Sequence, residues 1–379
     1  MKFVIAPDSF KGSLSAVQAG SIIAHAIRWE MPEAITDVIP MADGGEGTVD
    51  ALVQATGGKI VECQTTGPEG KHVTTYFGVI DEGSVQTAVI EVANIFGLPL
   101  IPQERRDPMN TTSRGIGELL RALLDKGHRR FVIGLGGSAT NDGGLGMLSA
   151  LGVRFTDRDG SLLEGFGRDL LEVACVDLQH LDSRLKQSQI TIACDVTNPL
   201  LGPLGASFVF GPQKGASPEQ VVRLDDGMSR YATLMEDAFS LKLREREGAG
   251  AAGGLGFAFM AIGAIIVPGA QVVEQLTSLK KKISQADWVI TGEGCSDEQT
   301  IFGKLPWYVA QWANEAGKPA ILISGSLGED IEPLYERFTG CFSITPRPST
   351  LQICMEESER NLEQCARNVA RLIGSAARH

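Results

Sequence analysis

The sequence lacks the cysteine and histidine patterns that disulfide frameworks and zinc sites require. Its seven cysteines include no CxxC pair and no metal-type spacing, and their number is odd. Its five histidines lie outside the polar loops described below, so a Ser-His-Asp hydrolase and a histidine-ligated zinc site find no support. We therefore expect reduced thiols and a cytoplasmic location.

Positive charge is scarcer than negative charge. The chain has 34 Lys and Arg residues against 46 Asp and Glu residues, a formal net charge of −12 at pH 7. Because an acidic surface repels a phosphate backbone, no nucleic-acid partner is expected. An anionic small molecule must then be bound by local cations or backbone amides.

Long apolar runs suited to a membrane are missing as well. The N-terminus is apolar for only a few residues before Pro7, which predicts a strand rather than a signal peptide. Residues 248–273 carry no charge, but they are rich in glycine and broken by Pro268. These features favour a buried loop and helix over a membrane span, and no membrane partner is expected.

The order of the apolar segments predicts an α/β protein. A chain of 379 residues is longer than one hydrophobic core usually supports, which predicts two domains. Short apolar strands alternate with helical patterns at both chain ends, which is typical of a parallel sheet covered by helices. The middle begins with strands at 59–66, 72–79 and 87–92 separated by glycine turns, which favours antiparallel pairing. We predict a discontinuous flavodoxin- or Rossmann-like parallel-sheet domain (1–58 and 284–379) with a large mixed α/β domain (59–283) inserted.

Five polar, glycine-rich loops follow predicted strands, where an open α/β sheet binds its ligands. Acids and isolated lysines are the residue types that phosphoryl transfer uses, and glycines let backbone amides approach an anion. The motif GxxxxGK[ST] is absent and these polar loops contain no GxGxxG, which argues against a Walker A loop and a dinucleotide site there. The loop residues are Asp8, Ser9 and Lys11; Asp43, Gly44, Gly45 and Glu46; Gly136, Gly137, Ser138, Asn141 and Asp142; Asp195, Asn198 and downstream Lys214; and Glu293 and Asp297.

Eight strings stand out along the chain: APDSFKGSLSA, PMADGGEGT, TTSRGIGEL, GLGGSATNDGG, CDVTNPL, FGPQKGA, TGEG and SDEQTIFGK. They resemble the bacterial glycerate kinase family, of the type that phosphorylates D-glycerate with ATP, and they occur in the family's order from residue 6 to about residue 304. The resemblance implies a discontinuous two-domain fold, an active site in the cleft between the domains, ATP with Mg²⁺, and 2-phosphoglycerate as the usual product.

Two positions depart from the family's pattern. Cys295 stands where members commonly carry Arg after TGEG, and Gly12 stands where a Glu often occurs. If that Arg holds an anion, another cation must replace it here, or the substrate or affinity differs. The second departure is milder because Asp8, Ser9 and Lys11 remain.

We predict that substrate-binding groups from several loops line the cleft. Asp195 is the predicted base for the attacking hydroxyl, with Asp43 as the second choice, and Lys11 neutralises the transferred phosphate. The other predicted roles are substrate binding by Asp8, Ser9, Arg114, Asn141 and Asn198; phosphate or nucleotide binding by Gly44, Gly45, Gly136, Gly137, Ser138 and Lys214; and metal binding by Asp142, Glu293 and Asp297.

The predicted activity is therefore that of a glycerate kinase with glycerate and ATP as its small-molecule partners. The alternatives are a kinase for another small hydroxy-acid, such as tartronate or hydroxypyruvate, and a glycerate 3-kinase. More remote are a nucleotide-using oxidoreductase, which the lack of GxGxxG in the polar loops argues against, and a non-catalytic small-acid sensor, which only Cys295 favours. The sequence leaves the oligomeric state open.

Overall fold

The computed structural model describes residues 1–83 and 85–376. Its strands are β1 (Lys2–Ile5), β2 (Ile35–Val38), β3 (Lys59–Thr66), β4 (His72–Glu82), β5 (Val85–Glu91), β6 (Arg130–Gly134), β7 (Arg154–Thr156), β8 (Cys175–Asp177), β9 (Gln189–Ala193), β10 (Ile265–Val267), β11 (Trp288–Ser296), β12 (Ala320–Leu327) and β13 (Gly340–Ser343).

The α-helices are α1 (Ala16–Glu30), α2 (Thr48–Thr56), α3 (Ala93–Phe96), α4 (Arg114–Asp125), α5 (Leu145–Ala150), α6 (Ala206–Phe210), α7 (Pro218–Phe239), α8 (Ala251–Ala261), α9 (Gly269–Thr277), α10 (Leu279–Ser284), α11 (Leu305–Glu315), α12 (Glu332–Tyr335), α13 (Leu351–Glu356) and α14 (Ser358–Ala376). Short 3₁₀ helices lie at Leu98–Leu100, Gln103–Arg105, Pro108–Asn110, Gly167–Leu171, Ser183–Gln187, Pro212–Lys214 and Glu298–Phe302.

Backbone contacts divide the described chain into two compact units. Unit 1 comprises Met1–Asp43, Asp50–Gly58 and the described residues from Gly269 onward, and unit 2 comprises Gly44–Val49 and the described residues of Lys59–Pro268. Residues 44–49 thus belong to unit 2 although their chain neighbours on both sides belong to unit 1.

The predicted domain limits and the two units differ in where they place two segments. Residues 44–49 fall in the predicted first domain and 269–283 in the predicted inserted domain, whereas backbone contacts assign them to units 2 and 1, respectively. The predicted limits themselves stay a prediction.

Unit 1 is built on a five-stranded parallel sheet with the order β13-β12-β11-β1-β2. Numbered along the chain within the unit, this is the 2-1-3-4-5 order of flavodoxin-like sheets. The α/β class and the flavodoxin-like sheet are therefore confirmed. The strand order reverses between β1 and β11, where such sheets bind their ligands.

Burial on both faces explains the short apolar strands of unit 1. Phe3 and Ile5 of β1 have no exposed surface and pack with Ile23 of α1 and Leu362 of α14 in one hydrophobic core. Helix α1 begins after the predicted capping box, in which Ser15 and Gln18 satisfy each other's backbone N–H groups at 3.1 and 2.9 Å.

Unit 2 contains a six-stranded mixed sheet with the order β10-β9-β6-β5-β4-β3. β3, β4 and β5 pair antiparallel, as predicted, while β5, β6, β9 and β10 are parallel. Glu91, Gly134, Ala193 and Val267 lie in register at the carboxyl ends of the parallel strands. The loops that follow these strands therefore share one edge of the sheet. β7 and β8 form a separate antiparallel pair.

The uncharged stretch 248–273 contains a buried helix, as predicted. Helix α8 is kinked at Gly253, whose φ of +70° lies in the left-handed region that favours glycine. A Cβ at this position would lie 2.1 Å from the carbonyl oxygen of Thr140, so the kink lets the two backbones approach closely. Among the residues described, no helix has the length and apolar character needed to cross a membrane.

Glu30, the last residue of α1, forms ion pairs with α14 that should make stability depend on pH. Glu30 accepts hydrogen bonds from Arg371 Nε (2.9 Å) and Arg367 Nε (2.7 Å), which lower its pKa from 4.5. A lowered pKa contributes stability that is present above pH 4.5 and is lost as the pH falls through the folded-state value. We expect Glu30→Gln to lower the unfolding midpoint at pH 7 and the difference to vanish in acid.

Tryptophan fluorescence is the suitable readout, because all four tryptophans lie in unit 1. Glu33→Gln, which alters an exposed carboxylate just beyond α1, is the matched control. Equal shifts in the two variants at pH 7 would contradict the stabilising role of Glu30.

Candidate active site

The loop after β1 places Asp8 where the strand order of unit 1 reverses. The backbone N–H of Asp8 donates to the carbonyl oxygen of Gly292 in β11 at 2.8 Å. The N–H of Ser9 donates to Asp8 Oδ1 at 2.6 Å. Asp8 and Ser9 are thus held beside β11 at the carboxyl edge of the sheet, where such sheets bind ligands.

The pKa of the Asp8 carboxyl is raised. Burial, with repulsion from Asp43 next in importance, raises its pKa from 3.8 to about 7. Glu293 adds to the repulsion, whereas the Ser9 N–H and Lys11 act in the opposite direction. A carboxylate with this pKa exchanges its proton near neutral pH, as a general acid or base must.

Lys11 lies at the same loop with its side chain 81% exposed. Its Nζ is 3.8 Å from Asp43 Oδ2, a contact that is weak at such exposure. The ammonium group can therefore leave Asp43 for an incoming anion at little cost.

Glu293, in β11, is buried and surrounded by donors. Its Oε1 accepts from Ser296 Oγ (2.9 Å) and Thr300 Oγ1 (2.8 Å), and its Oε2 lies 3.7 Å from Lys304 Nζ. Burial raises the pKa of Glu293, and these three contacts oppose the rise. The hydrogen bonds hold the carboxylate in one orientation.

Lys304 is the cation beside the unusual Cys295. Its Nζ lies 3.2 Å from Asp297 Oδ1 and donates to the carbonyl oxygen of Cys295 at 3.4 Å. The Cys295 residue is exposed. Lys304 thus supplies positive charge close to the position where the family commonly carries Arg.

In unit 2, glycines bring two loops into direct backbone contact. The N–H of Gly136 donates to the carbonyl oxygen of Gly44 at 2.8 Å. A Cβ on Gly44 would lie 2.0 Å from the carbonyl oxygen of Ala193, and one on Gly136 would lie 2.5 Å from the Cα of Gly45. These glycines are therefore required for close packing, and the Gly136 N–H is already bonded within the protein. Gly137, beside them, is exposed.

The side chain of Lys214 contacts the glycine-rich loop 134–146, and only 3% of the residue's surface is exposed. Its Nζ donates to Ser138 Oγ at 3.1 Å and to the carbonyl oxygen of Thr140 at 2.6 Å. Burial lowers the pKa of Lys214 from 10.5 to about 7, and the charge of Asp142 opposes this effect. In this position the lysine anchors the loop from within.

Asp142 is fully buried and accepts four hydrogen bonds from the protein. Oδ2 accepts from the N–H and Oγ of Ser113 (both 2.7 Å) and from the Gly146 N–H (3.2 Å), and Oδ1 accepts from the Gly144 N–H (3.1 Å). Burial raises the pKa of Asp142 against these bonds. The carboxylate organises the loop at the start of α5.

Two buried polar atoms of the same loop, Thr140 Oγ1 and Asn141 Oδ1, have no hydrogen-bond partner in the described part of the chain. The amide of Asn141 donates to Ser207 Oγ at 2.9 Å, which fixes the direction of its oxygen. Buried polar groups without partners are costly, and in native proteins they often mark places where water or a ligand binds.

The remaining predicted residues lie on neighbouring segments. Asp195 is exposed and follows β9, and Asn198 on the same loop donates from Nδ2 to the carbonyl oxygen of Leu204 at 2.8 Å. Arg114, at the start of α4, donates from Nε to Glu118 Oε1 at 3.1 Å.

The predicted residues gather in two groups, one in each unit. Unit 1 brings together Asp8, Ser9, Lys11, Asp43, Glu293 and Asp297. Unit 2 brings together Gly44, Gly45, Gly136, Gly137, Ser138, Asn141, Asp142 and Lys214, with Asp195 and Asn198 on the next loop of that sheet edge and Glu46 exposed in segment 44–49.

Within residues 1–83 and 85–376, no group of three or more His, Cys, Asp or Glu side chains is placed to hold a metal ion.

Sequence reasoning missed Glu91, the last residue of β5. It is completely buried, and its carboxylate accepts from the Gly47 N–H (3.1 Å) and the Val49 N–H (3.2 Å). The available signal was a single acid in the otherwise uncharged predicted strand 87–92.

Comparisons with known proteins point to one family over nearly the whole chain. The sequence profile of the glycerate kinase family matches residues 3–374. The chain is 44% identical over 375 residues to the glycerate kinase of Haemophilus influenzae, covering 98% of this chain and 99% of the relative. It is 43% identical over 381 residues to the glycerate 2-kinase of Escherichia coli K12, covering 100% of both. A crystal structure of a protein assigned as glycerate kinase 2 from Salmonella typhimurium LT2 superposes with a TM-score of 0.88 at 43% identity, covering 100% of each chain.

The raised pKa of Asp8 generates a second pH prediction. The folded protein holds the Asp8 proton up to about pH 7, whereas the unfolded chain releases it near pH 3.8. This contribution is fully present below pH 3.8 and is lost as the pH rises through 7. Because Asp8→Asn cannot ionise, its stability relative to wild type should increase between pH 4 and 7, by at most about 4 kcal/mol at about 1.4 kcal/mol per pKa unit.

Urea unfolding followed by tryptophan fluorescence measures this difference. Asp37→Asn, which changes a half-exposed carboxylate of β2, is the control variant. A constant offset between Asp8→Asn and wild type across the range would show that the Asp8 pKa is not raised.

Proposed function

The chain belongs to the glycerate kinase family and is therefore an enzyme, a kinase, and we propose that it phosphorylates D-glycerate with ATP to give 2-phospho-D-glycerate. The observation that carries this proposal is the likeness over the complete chain to a relative named glycerate 2-kinase. We propose further that residues of both units take part, with the substrates bound in a cleft between the predicted domains, as the family resemblance implies.

Proton removal from the attacking hydroxyl is assigned to a carboxylate. Asp195 remains our proposed base, since it is exposed at the end of β9. Asp8 is the alternative that its pKa favours, because a value of about 7 lies near the pH at which proton transfer is most effective. Asp43, the second choice from sequence, contributes by raising the pKa of Asp8.

Charge on the transferring phosphoryl group is the main electrostatic problem of such a reaction. Lys11 is proposed to neutralise it, because its exposed ammonium is only weakly paired with Asp43. The buried Lys214 is proposed to act indirectly instead, since its Nζ bonds hold Ser138 and Thr140 in place.

A magnesium ion would neutralise the charge of the ATP phosphates when bound. Mg²⁺ is usually held by one or two carboxylates together with substrate phosphates. Asp8 and Asp43 fit this requirement, since their mutual repulsion raises the pKa of Asp8. Of the predicted metal residues, Asp142 fits less well because four protein donors surround it, and Glu293 and Asp297 both contact Lys304.

Recognition of the small hydroxy-acid is assigned to short polar side chains. Asn141 Oδ1 is proposed to accept a substrate hydroxyl, because it is buried and the amide of the same side chain is fixed by Ser207. The substrate carboxylate needs a cation, for which Arg114 is the predicted residue. Ser9 and Asn198 stay further proposals for substrate contact.

The first test is an activity measurement. Purified protein with Mg²⁺, ATP and D-glycerate should form ADP, and phosphorus NMR should show the phosphate on the 2-position. Tartronate and hydroxypyruvate serve as competing substrates, and a 3-phosphate product would support the alternative regiochemistry. No ADP formation with any of these acids would refute the kinase proposal for this site.

The second test assigns the base. Asp195→Asn should lower kcat about 100-fold or more, the usual contribution of a general base, without changing the Mg²⁺ concentration for half-maximal rate. Asp8→Asn should raise that Mg²⁺ concentration if Asp8 holds the metal. Near-normal turnover in Asp195→Asn, together with a large kcat loss and unchanged Mg²⁺ dependence in Asp8→Asn, would assign the base to Asp8.

A further inference from the structure

Glu91 binds a segment that is distant from it in the chain. It ends β5, in register with Gly134 of β6, and none of its surface is exposed. Its two carboxylate oxygens accept from the backbone N–H groups of Gly47 and Val49, which lie 44 and 42 residues away. The side chain therefore joins the carboxyl edge of the sheet to residues 44–49.

The bound amides lie at the start of helix α2, which begins at Thr48. The first N–H groups of a helix have no partner within the helix and carry partial positive charge. Gly47, directly before the helix, has no side chain that could cap them, and its φ is +87°. Glu91 supplies the missing cap from another part of the chain.

The same segment is anchored at its other end. Gly44 accepts the Gly136 N–H at 2.8 Å and lies against the carbonyl oxygen of Ala193. Between the anchors, Thr48 Oγ1 donates to the carbonyl oxygen of Gly45 at 2.7 Å. The chain directly after Asp43 is therefore fixed at both ends.

We propose that Glu91 is a positioning residue for phosphoryl transfer, fixing segment 44–49 so that the chain following Asp43 adopts one arrangement. The inference rests on the proposed function for its kinetic consequence. Glu91 itself is buried and acts through the backbone of the segment. Displacement of a catalytic group by about 1 Å can cost about 100-fold in rate, so a fixed segment affects turnover.

Glu91→Gln tests the proposal with little change of shape, since the amide keeps one acceptor oxygen but presents N–H to the second backbone N–H. We expect kcat to fall about 10- to 100-fold, with the KM for ATP changed by less than about threefold. Glu91→Asp, which keeps both acceptor oxygens on a shorter side chain, should restore part of the activity. Hydrogen exchange at residues 44–49 should become faster in Glu91→Gln.

Glu236→Gln is the matched control, because Glu236 also binds two backbone amides in unit 2, those of Leu243 (2.7 Å) and Arg244 (2.9 Å). It should lower the unfolding midpoint and leave kcat within about twofold of wild type. Equal kcat losses in the two variants, or unchanged exchange at 44–49 in Glu91→Gln, would overturn the positioning role.

If Glu91→Gln does not fold, Glu91→Asp provides the decision, since its shorter side chain weakens the bonds to the Gly47 and Val49 N–H groups while keeping the charge. A several-fold loss of kcat with faster exchange at 44–49 would support the proposal, and wild-type kcat with unchanged exchange would overturn it. Hydrogen exchange needs no substrate. It therefore tests whether Glu91 holds the segment even if the wild-type protein fails to phosphorylate glycerate, an outcome that would refute the proposed function separately.

Discussion

Buried charge held by loop backbone is the interaction on which the arrangement of unit 2 depends. Glu91, Asp142 and Lys214 are each desolvated, and each bonds to backbone groups of a loop at the sheet edge. A buried charge without such partners would cost several kcal/mol, so a loop conformation that breaks these bonds is strongly disfavoured. The glycines complete the arrangement, because a Cβ at Gly44 or Gly136 would prevent the loops from meeting.

Unit 1 uses charge in a different way. Lys11 is exposed and only loosely paired with Asp43, and Asp8 changes its protonation near neutral pH. Groups that exchange partners and protons at low cost are suited to a reaction in which negative charge arrives, moves and leaves. Unit 2 therefore holds its buried polar side chains through loop backbone, whereas Lys11 of unit 1 has only a weak partner and Asp8 exchanges its proton near neutral pH.

Local patterns allowed much of this to be predicted from sequence. The Ser15 capping box, the antiparallel pairing of β3, β4 and β5, and the loop after β1 that carries Asp8 all depend on residues close together in the chain. The order of the strands and the enclosure of Asp142 by Ser113 depend on contacts across many residues, which composition and spacing do not encode. Lys214 shows the same limit: its spacing after a polar loop predicts phosphate or nucleotide binding, which stays a prediction, but does not reveal that its Nζ bonds to Ser138 and Thr140.

The assignment of residues 44–49 to unit 2 has a consequence for how this protein can be divided. A fragment spanning 59–268 contains the six-stranded sheet, yet it omits segment 44–49, in which Gly47 and Val49 bond to Glu91 and Gly44 and Gly45 pack on Gly136. Such a fragment would expose the sheet edge and remove two backbone donors from a desolvated carboxylate. If recombination between two relatives exchanged only residues 59–268, the six-stranded sheet would come from one parent and segment 44–49 from the other. The smallest exchangeable module is therefore discontinuous in the gene.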